Sequence, residues 1–83
     1  MQKAIVLITT EPGSEADVLK GLKRIEGVEE AYATYGVYDI LVKVQAESGD
    51  KLKEVITQRI RRLDKVRSTL TMIITEEAKS SST

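Results

Sequence analysis

The side chains that could do chemistry in this sequence are few, and most of them cluster around one glycine. All the aromatic residues, Tyr32, Tyr35 and Tyr38, lie close to Gly36, and the carboxylate of Asp39 follows directly. Phenol rings can line a small pocket, and a carboxylate beside a turn can bind a cationic group. The same residue types also pack in cores and bond to nearby backbone. Both interpretations stay open from the residues alone.

Two threonines form a second candidate. Thr69 and Thr71 stand two positions apart, so a strand would place both hydroxyls on one face of a sheet. Hydroxyls in this position could bind a small polar ligand, although strands also favour threonine for its shape alone. The nearby arginines Arg59, Arg61 and Arg62 are most simply explained as a solvated helix face.

The composition excludes most catalytic mechanisms. Histidine and cysteine are absent from the 83 residues, which removes thiolate nucleophiles, disulfides, and the most common general base and metal ligand. Lys plus Arg is 13 and Asp plus Glu is 13, so the zero net charge gives no bias towards nucleic acid or an anionic membrane. No run approaches the roughly 18 apolar residues of a membrane span. We expect a soluble, cytoplasmic protein that is not an enzyme, needs no cofactor or metal, and binds neither DNA nor a membrane by itself.

The hydrophobic pattern predicts six elements in one domain. Each strand is a short run rich in β-branched residues, and each helix repeats its apolar residues at spacings of three and four. In chain order we predict a strand over residues 4–8, a helix capped by Ser14 and ended by Gly27, strands over 28–35 and 38–44, a helix after the loop 45–49, and a strand over 66–75.

This order predicts an α+β, ferredoxin-like βαββαβ fold. Its four-stranded antiparallel sheet has the order 4-1-3-2, with both helices on one face. The two halves resemble each other, because Ile25-Glu26-Gly27-Val28 ends the first helix as Leu63-Asp64-Lys65-Val66 ends the second. We therefore predict a single domain over residues 1–75 and a polar, disordered tail over residues 76–83.

The turn and the charges of the predicted hairpin indicate how its two strands pair. A two-residue turn at Gly36-Val37 pairs Glu30 with Lys43, which is a favourable cross-strand charge pair. This register places Tyr35 and Tyr38 on the face that the helices cover. The opposite face, which carries Tyr32 and Leu41 beside apolar residues of the first strand, is too apolar to remain in water. We expect a second copy of the chain to cover it.

Two segments of the sequence resemble a known family. Residues 36–44, Gly-Val-Tyr-Asp-Ile-Leu-Val-Lys-Val, and residues 66–74, Val-Arg-Ser-Thr-Leu-Thr-Met-Ile-Ile, are similar to the effector-binding domain of the Lrp/AsnC feast/famine transcriptional regulators, also called the RAM domain. The resemblance covers residue 4 to about residue 75. It departs at Lys65, where the family commonly has glycine, and the N-terminal helix-turn-helix of full-length members is absent.

The resemblance implies an assembly and a ligand. In the family, sheet faces pack into homodimers, dimers form rings, and small molecules, typically amino acids, bind between dimers near the Gly-x-x-Asp turn. For this sequence, the resemblance implies that Gly36, Tyr38 and Asp39 bind the effector, with Thr69 and Thr71 as weaker candidates. The Asp39 carboxylate would accept hydrogen bonds from the ammonium of the amino acid, while exposed amides around Gly36 would bind its carboxylate.

The implied function is a stand-alone amino-acid-sensing and oligomerisation module without a DNA-binding domain of its own. Such a module could modulate full-length Lrp/AsnC regulators by joining their oligomers. Two alternatives stay open: a regulatory subunit of a metabolic enzyme, similar to an ACT domain, and a structural oligomerisation domain without a ligand.

Overall fold

The computed structural model describes residues 1–78 and confirms the predicted architecture. One antiparallel sheet has the strand order β2-β3-β1-β4, which is the predicted order, and two helical segments pack on one of its faces. The elements are β1 (Gln2–Thr10), α1 (Glu15–Lys23), β2 (Val28–Ala33), β3 (Ile40–Ala46), α2 (Gly49–Glu54), a π-helical segment (Val55–Ile60) that continues α2, and β4 (Val66–Ile73).

The core lies between the sheet and the helices. β1 and β3 are central, and every second residue of each strand is buried against the helices. Burying such an aliphatic side chain contributes about 1.5 to 3 kcal/mol. The most buried large side chains come from both layers of the fold: Val6, Ile8, Val18, Leu22, Ile40, Val42, Val44, Leu52 and Ile60.

The helix starts differ from the sequence-based expectation. Ser14 occupies the N-cap of α1 as predicted, but its side chain makes no capping hydrogen bond; its carbonyl oxygen accepts from the N–H of Val18. Ser48, which the sequence placed in a loop, caps α2, because its hydroxyl oxygen accepts from the Lys51 N–H over 3.1 Å. Cap geometry depends on the approach of the preceding chain, which composition does not reveal.

The second helix does not keep the regular α-helical winding that its periodicity predicts. Val55–Ile60 is π-helical, and the N–H of Arg61 donates to the carbonyl oxygen of Ile56, five residues back. Within this segment the Thr57 hydroxyl donates to the carbonyl oxygen of Lys53 over 2.8 Å. Because this bond competes with the helical amide for the same carbonyl, it favours the wider turn.

The two halves of the chain have the same unusual backbone conformation after their helices. Gly27 has φ 104° and Lys65 has φ 73°, and each lies just before an edge strand. At Gly27 an added Cβ would lie 3.2 Å from the Gln45 carbonyl oxygen, so the close approach of this backbone favours glycine in addition to the positive φ. Lys65 tolerates the left-handed conformation in the open, where its ammonium reaches Oδ2 of Asp17 at 2.9 Å.

The β2–β3 hairpin keeps the predicted register but not the predicted turn. Glu30 pairs with Lys43, and their side chains form an ion pair at 3.2 Å. Both strands end before the turn, which extends over residues 34–39 instead of two residues. The prediction that Tyr35 lies on the helix-covered face is wrong, because the turn leaves the sheet and exposes this ring completely.

The face of the sheet opposite the helices carries an apolar row that nothing in the described part of the chain covers. One row crosses all the strands, since Tyr32 is paired with Leu41, Leu41 with Leu7, and Leu7 with Leu70. Tyr32 and Leu70 are 48% and 46% exposed. A contiguous apolar patch of this kind is typical of an interaction surface.

After β4 the chain continues along the start of β1. The Ile74 N–H donates to the Lys3 carbonyl oxygen, and Glu77 forms an ion pair with the Lys3 ammonium at 3.4 Å. Of the predicted disordered tail, residues 79–83 lie outside the described residues. Within residues 1–78, no helix combines the length and the apolar character that crossing a membrane requires.

Candidate functional site

The turn between β2 and β3 presents the predicted Gly-x-Tyr-Asp residues at one end of the sheet. Gly36 is exposed, and a side chain at this position would meet no neighbouring atom. Val37 is 87% exposed, whereas Tyr38 is half-buried. The Thr34 hydroxyl donates to the Tyr38 carbonyl oxygen over 2.6 Å and fixes the start of the turn to its end.

Asp39 connects this turn to the neighbouring strand. Its N–H donates to the Ile8 carbonyl oxygen at 2.9 Å, and its Oδ2 accepts from the Thr10 N–H at 2.8 Å. The side chain thus adds one more bond between the two chain segments, beyond the last β1–β3 pair, Ile8 and Ile40. The hydrogen bond to Thr10 thus fixes the position of the carboxylate, as a binding site requires.

Thr10, whose N–H donates to Asp39, also carries a buried hydroxyl. Thr10 is 5% exposed, and its Oγ1 has no hydrogen-bond partner within the described residues. An unpaired buried hydroxyl costs free energy. Sequence reasoning did not identify Thr10, and its position at the end of an apolar strand was the only available signal.

The other predicted site residues lie elsewhere. Thr69 and Thr71 pair with Ile8 and Val6 of β1, so both threonines share the helix-covered face of β4. β3 and its turn lie on the other side of β1. The structure therefore separates the predicted residues into a turn group, Gly36, Tyr38 and Asp39, and a β4 group, Thr69 and Thr71.

The β4 group lines a groove of about 530 Å³ between β4 and the second helix. Leu52 and Ile56 are among its apolar lining residues, and Lys53 and Arg61 supply positive charge. The Arg61 Nε–H donates to Thr69 Oγ1 at 3.2 Å. Sequence reasoning placed Arg61 on a solvated face and missed Lys53, although their eight-residue spacing puts both on one side of a helix.

The ionisable groups with shifted pKa values lie on the surface. The Tyr32 hydroxyl donates to Glu30 Oε1 at 2.8 Å, and this bond, with the Lys43 ammonium, lowers the pKa of Glu30. The pKa of Lys43 is raised in return by Glu30. Among the described residues, no three His, Cys, Asp or Glu side chains are grouped to hold a metal ion.

The family comparison agrees with the fold. The family model for the Lrp/AsnC ligand binding domain matches residues 3–83. The chain belongs to this family. Lys65, at which the sequence resemblance implied a glycine, has a left-handed backbone with φ 73°.

Curated relatives are longer proteins. An uncharacterized HTH-type transcriptional regulator of Pyrococcus furiosus is 32% identical over 73 residues, which cover 84% of this chain and 49% of the regulator. The regulatory protein AsnC of Escherichia coli is 39% identical over 56 residues, covering 68% and 37%. A homocitrate synthase of Saccharolobus islandicus is 46% identical over 57 residues, covering 69% of this chain and 12% of the enzyme. The chain thus spans half or less of each of these proteins.

Solved structures share the fold. The crystal structure of FFRP-DM1 superposes with a TM-score of 0.85 at 38% identity, covering 89% of this chain and 99% of that one. The structure of E. coli AsnC gives 0.89 at 28% identity, covering 99% and 56%. A feast or famine regulatory protein from M. tuberculosis, complexed with L-methionine, gives 0.78 at 32% identity, covering 98% and 54%.

Proposed function

We propose that this chain is an amino-acid-responsive assembly module that modulates transcriptional regulators of its own family. The membership of residues 3–83 in the Lrp/AsnC ligand-binding family carries this proposal. The methionine complex of the M. tuberculosis relative supports the ligand class. Residues 1–78 form a βαββαβ domain, and the proposed role of this domain is ligand binding and assembly with partner regulators.

The proposed effector site is the turn group, Gly36, Tyr38 and Asp39. A carboxylate can accept about four hydrogen bonds, so Asp39 can receive an ammonium while it still accepts from the Thr10 N–H. Exposed amides around Gly36 supply donors for the carboxylate of the amino acid. Because the turn is exposed, we propose that a neighbouring dimer completes the site. Thr69 and Thr71 remain weaker candidates.

We further propose that the apolar sheet face forms the homodimer and that dimers assemble into rings. An apolar row such as the one that includes Leu7, Leu41 and Leu70 can pack on the same row of a second copy across a two-fold axis, as a closed dimer requires. Leu70→Glu places a charge in this row and should convert the dimer into monomers in light scattering behind a sizing column. Val37→Glu, an equal change at an exposed turn position, should leave the dimer intact. A dimeric Leu70→Glu variant would contradict the sheet-face interface.

A thermal-shift screen against the twenty amino acids tests the ligand. An amino acid that binds only the folded chain raises the melting temperature with concentration, as RT ln(1 + [L]/Kd) requires. We expect at least one amino acid to do so, and Asp39→Asn to weaken its binding about tenfold or more in calorimetric titration. The absence of any shift at millimolar concentrations would favour the ligand-free oligomerisation domain.

The homocitrate synthase match supports a second candidate, a regulatory module of a metabolic enzyme. Both candidates need an amino-acid site, so the partner distinguishes them. Native mass spectrometry of the chain mixed with a full-length Lrp/AsnC regulator, and separately with a homocitrate synthase, should show mixed assemblies only with the regulator. Mixed assemblies only with the enzyme would favour the second candidate.

A further inference from the structure

The two edges of the sheet differ in a way that the effector site does not explain. β2 carries Glu29 and Glu30, and an irregular register lies between Val28 and Glu30. Charges and bulges of this kind prevent a further strand from pairing. β4 is eight residues long, its only charged residue is Arg67, and it pairs regularly with β1 from Ser68 to Ile73. Within residues 1–78 no strand pairs with the outer side of β4, so this edge is open to strand addition.

The backbone groups at that edge point outwards. The Ile74 N–H donates to Lys3 of β1, and the direction of these groups alternates along an antiparallel strand. The N–H and C=O groups of Thr69, Thr71 and Ile73 therefore point away from β1. The side chains of the same residues border the groove towards the second helix. A strand that pairs with β4 would send every second side chain into this groove.

The lining of the groove selects the chemistry of such a strand. Lys53 and Arg61 are both basic, and none of the described lining residues is acidic. Arg61 uses its Nε–H on Thr69, and a guanidinium has further donors for a carboxylate. Eight helical residues separate Lys53 and Arg61 by about 12 Å, and four strand residues span about 13 Å. Acidic side chains four residues apart match the two cations, and an apolar side chain midway faces Leu52 and Ile56.

We propose that β4 and the second helix form a docking groove for an extended acidic segment of another protein, with the pattern acid-x-apolar-x-acid. The segment pairs with the outward backbone of Thr69, Thr71 and Ile73. A second copy of β4 is a poor occupant, because its charged residue, Arg67, has the same sign as Lys53 and Arg61. Leu70 of the sheet-face row borders this groove, which lies apart from the turn group because β3 is on the other side of β1.

The first test uses the full chain and a fluorescein-labelled peptide, Thr-Glu-Thr-Val-Thr-Glu-Thr, blocked at its C-terminus. Fluorescence anisotropy should show saturable binding that weakens with salt. The double variant Lys53→Glu/Arg61→Glu should lower the affinity about tenfold or more. The matched variant Lys51→Glu/Arg62→Glu changes the charge of the same helix equally but lies outside the groove, so it should change the affinity less than about twofold. Equal losses in both variants, or no saturation at about 1 mM peptide, would overturn the proposal.

The second test asks whether the peptide pairs with the strand edge. Hydrogen exchange resolved by residue should slow at the amides of Thr69, Thr71 and Ile73 when the peptide is added. The amides of Leu70 and Met72, which already face β1, should not change. Uniform protection, or none, would rule out strand pairing. Protection in the free chain that disappears on dilution would assign the edge to a second copy and overturn the proposal.

A proline provides an independent check. Thr71→Pro removes one outward N–H, a change that edge strands tolerate, and should abolish peptide binding. Thr71→Val keeps the backbone and should retain it. Circular dichroism confirms that each variant folds, and the exchange measurement on the unmodified chain decides the question if Thr71→Pro does not. Undiminished binding to a folded Thr71→Pro variant would contradict the proposal.

Discussion

The N–H of Thr10 donates to Oδ2 of Asp39 over 2.8 Å, so the residue that precedes β3 holds the last residue of β1. This bond gives Asp39 a structural role whether or not it also binds a ligand. It attaches the carboxylate that we propose to bind the ligand to the two central strands, which form the most buried part of the sheet.

Substitutions of Asp39 should therefore affect stability in a graded way. Asp39→Ala leaves the Thr10 N–H without its acceptor and should lower the free energy of unfolding by about 1.5 to 3 kcal/mol. Asp39→Asn keeps a neutral acceptor and should cost about half as much, since charged hydrogen bonds are roughly twice as strong. Urea unfolding of the two variants measures both values. Equal stability of Asp39→Ala and the unmodified chain would show that the bond does not form in solution.

The unpaired hydroxyl of Thr10 predicts a stabilising substitution. Thr10→Val replaces Oγ1 by a methyl group of similar shape and retains the N–H that donates to Asp39. We expect the free energy of unfolding to rise by about 1 kcal/mol, because a buried group without a partner is removed. Thermal and urea unfolding measure the change. A loss of stability would mean that the hydroxyl has a partner in solution, such as a bound water or an effector.

The left-handed backbone at Lys65 predicts a second stabilising substitution. A non-glycine residue in this conformation is strained by about 1 to 2 kcal/mol, whereas glycine is not. Lys65→Gly should therefore raise the melting temperature by about 3 to 8 °C relative to Lys65→Ala, which keeps the strain. Both variants lose the exposed ion pair with Asp17, so their difference isolates the backbone. Equal melting temperatures would indicate that the turn relaxes in solution.

Acid should weaken the fold through Asp17 and Glu30. Lys65 lowers the pKa of Asp17, and Tyr32 with Lys43 lowers the pKa of Glu30. A carboxyl whose folded pKa is below its unfolded value stabilises the fold above the unfolded value, and this contribution is lost as the pH falls through the folded pKa. The stability advantage of the unmodified chain over Asp17→Asn/Glu30→Gln should thus be present at pH 7 and shrink below about pH 4.5.

Urea unfolding between about pH 7 and pH 3 measures this advantage. High salt should reduce it, because both groups are exposed. Glu26→Gln removes an exposed carboxylate elsewhere and serves as the control. An advantage that stays constant across the pH range would contradict the assigned ion pairs.

Some parts of the fold were predictable because one local rule determined them. The register of Glu30 and Lys43 followed from strand alternation and charge, and Gly27 followed from its position after an amphipathic helix. The turn itself did not follow, because Asp39 bonds to β1 through its N–H and its carboxylate, while Thr34 still donates to the Asp39 carbonyl oxygen and only residues 35–38 form the loop. The bond of the carboxylate crosses 29 residues of sequence, which no local pattern encodes.

The candidate sites divide in the same way. The sequence by itself determined the fold class, the family and the residue types available for binding, since periodicity, glycine positions and the absence of histidine and cysteine are local properties. Only the tertiary structure separated Thr69 and Thr71 from Asp39, brought Lys53 and Arg61 to the edge of β4, and left that edge unpaired by any strand of residues 1–78. The physical reason is that strand order and helix placement minimise the exposed area of the whole core. They therefore decide which distant side chains meet.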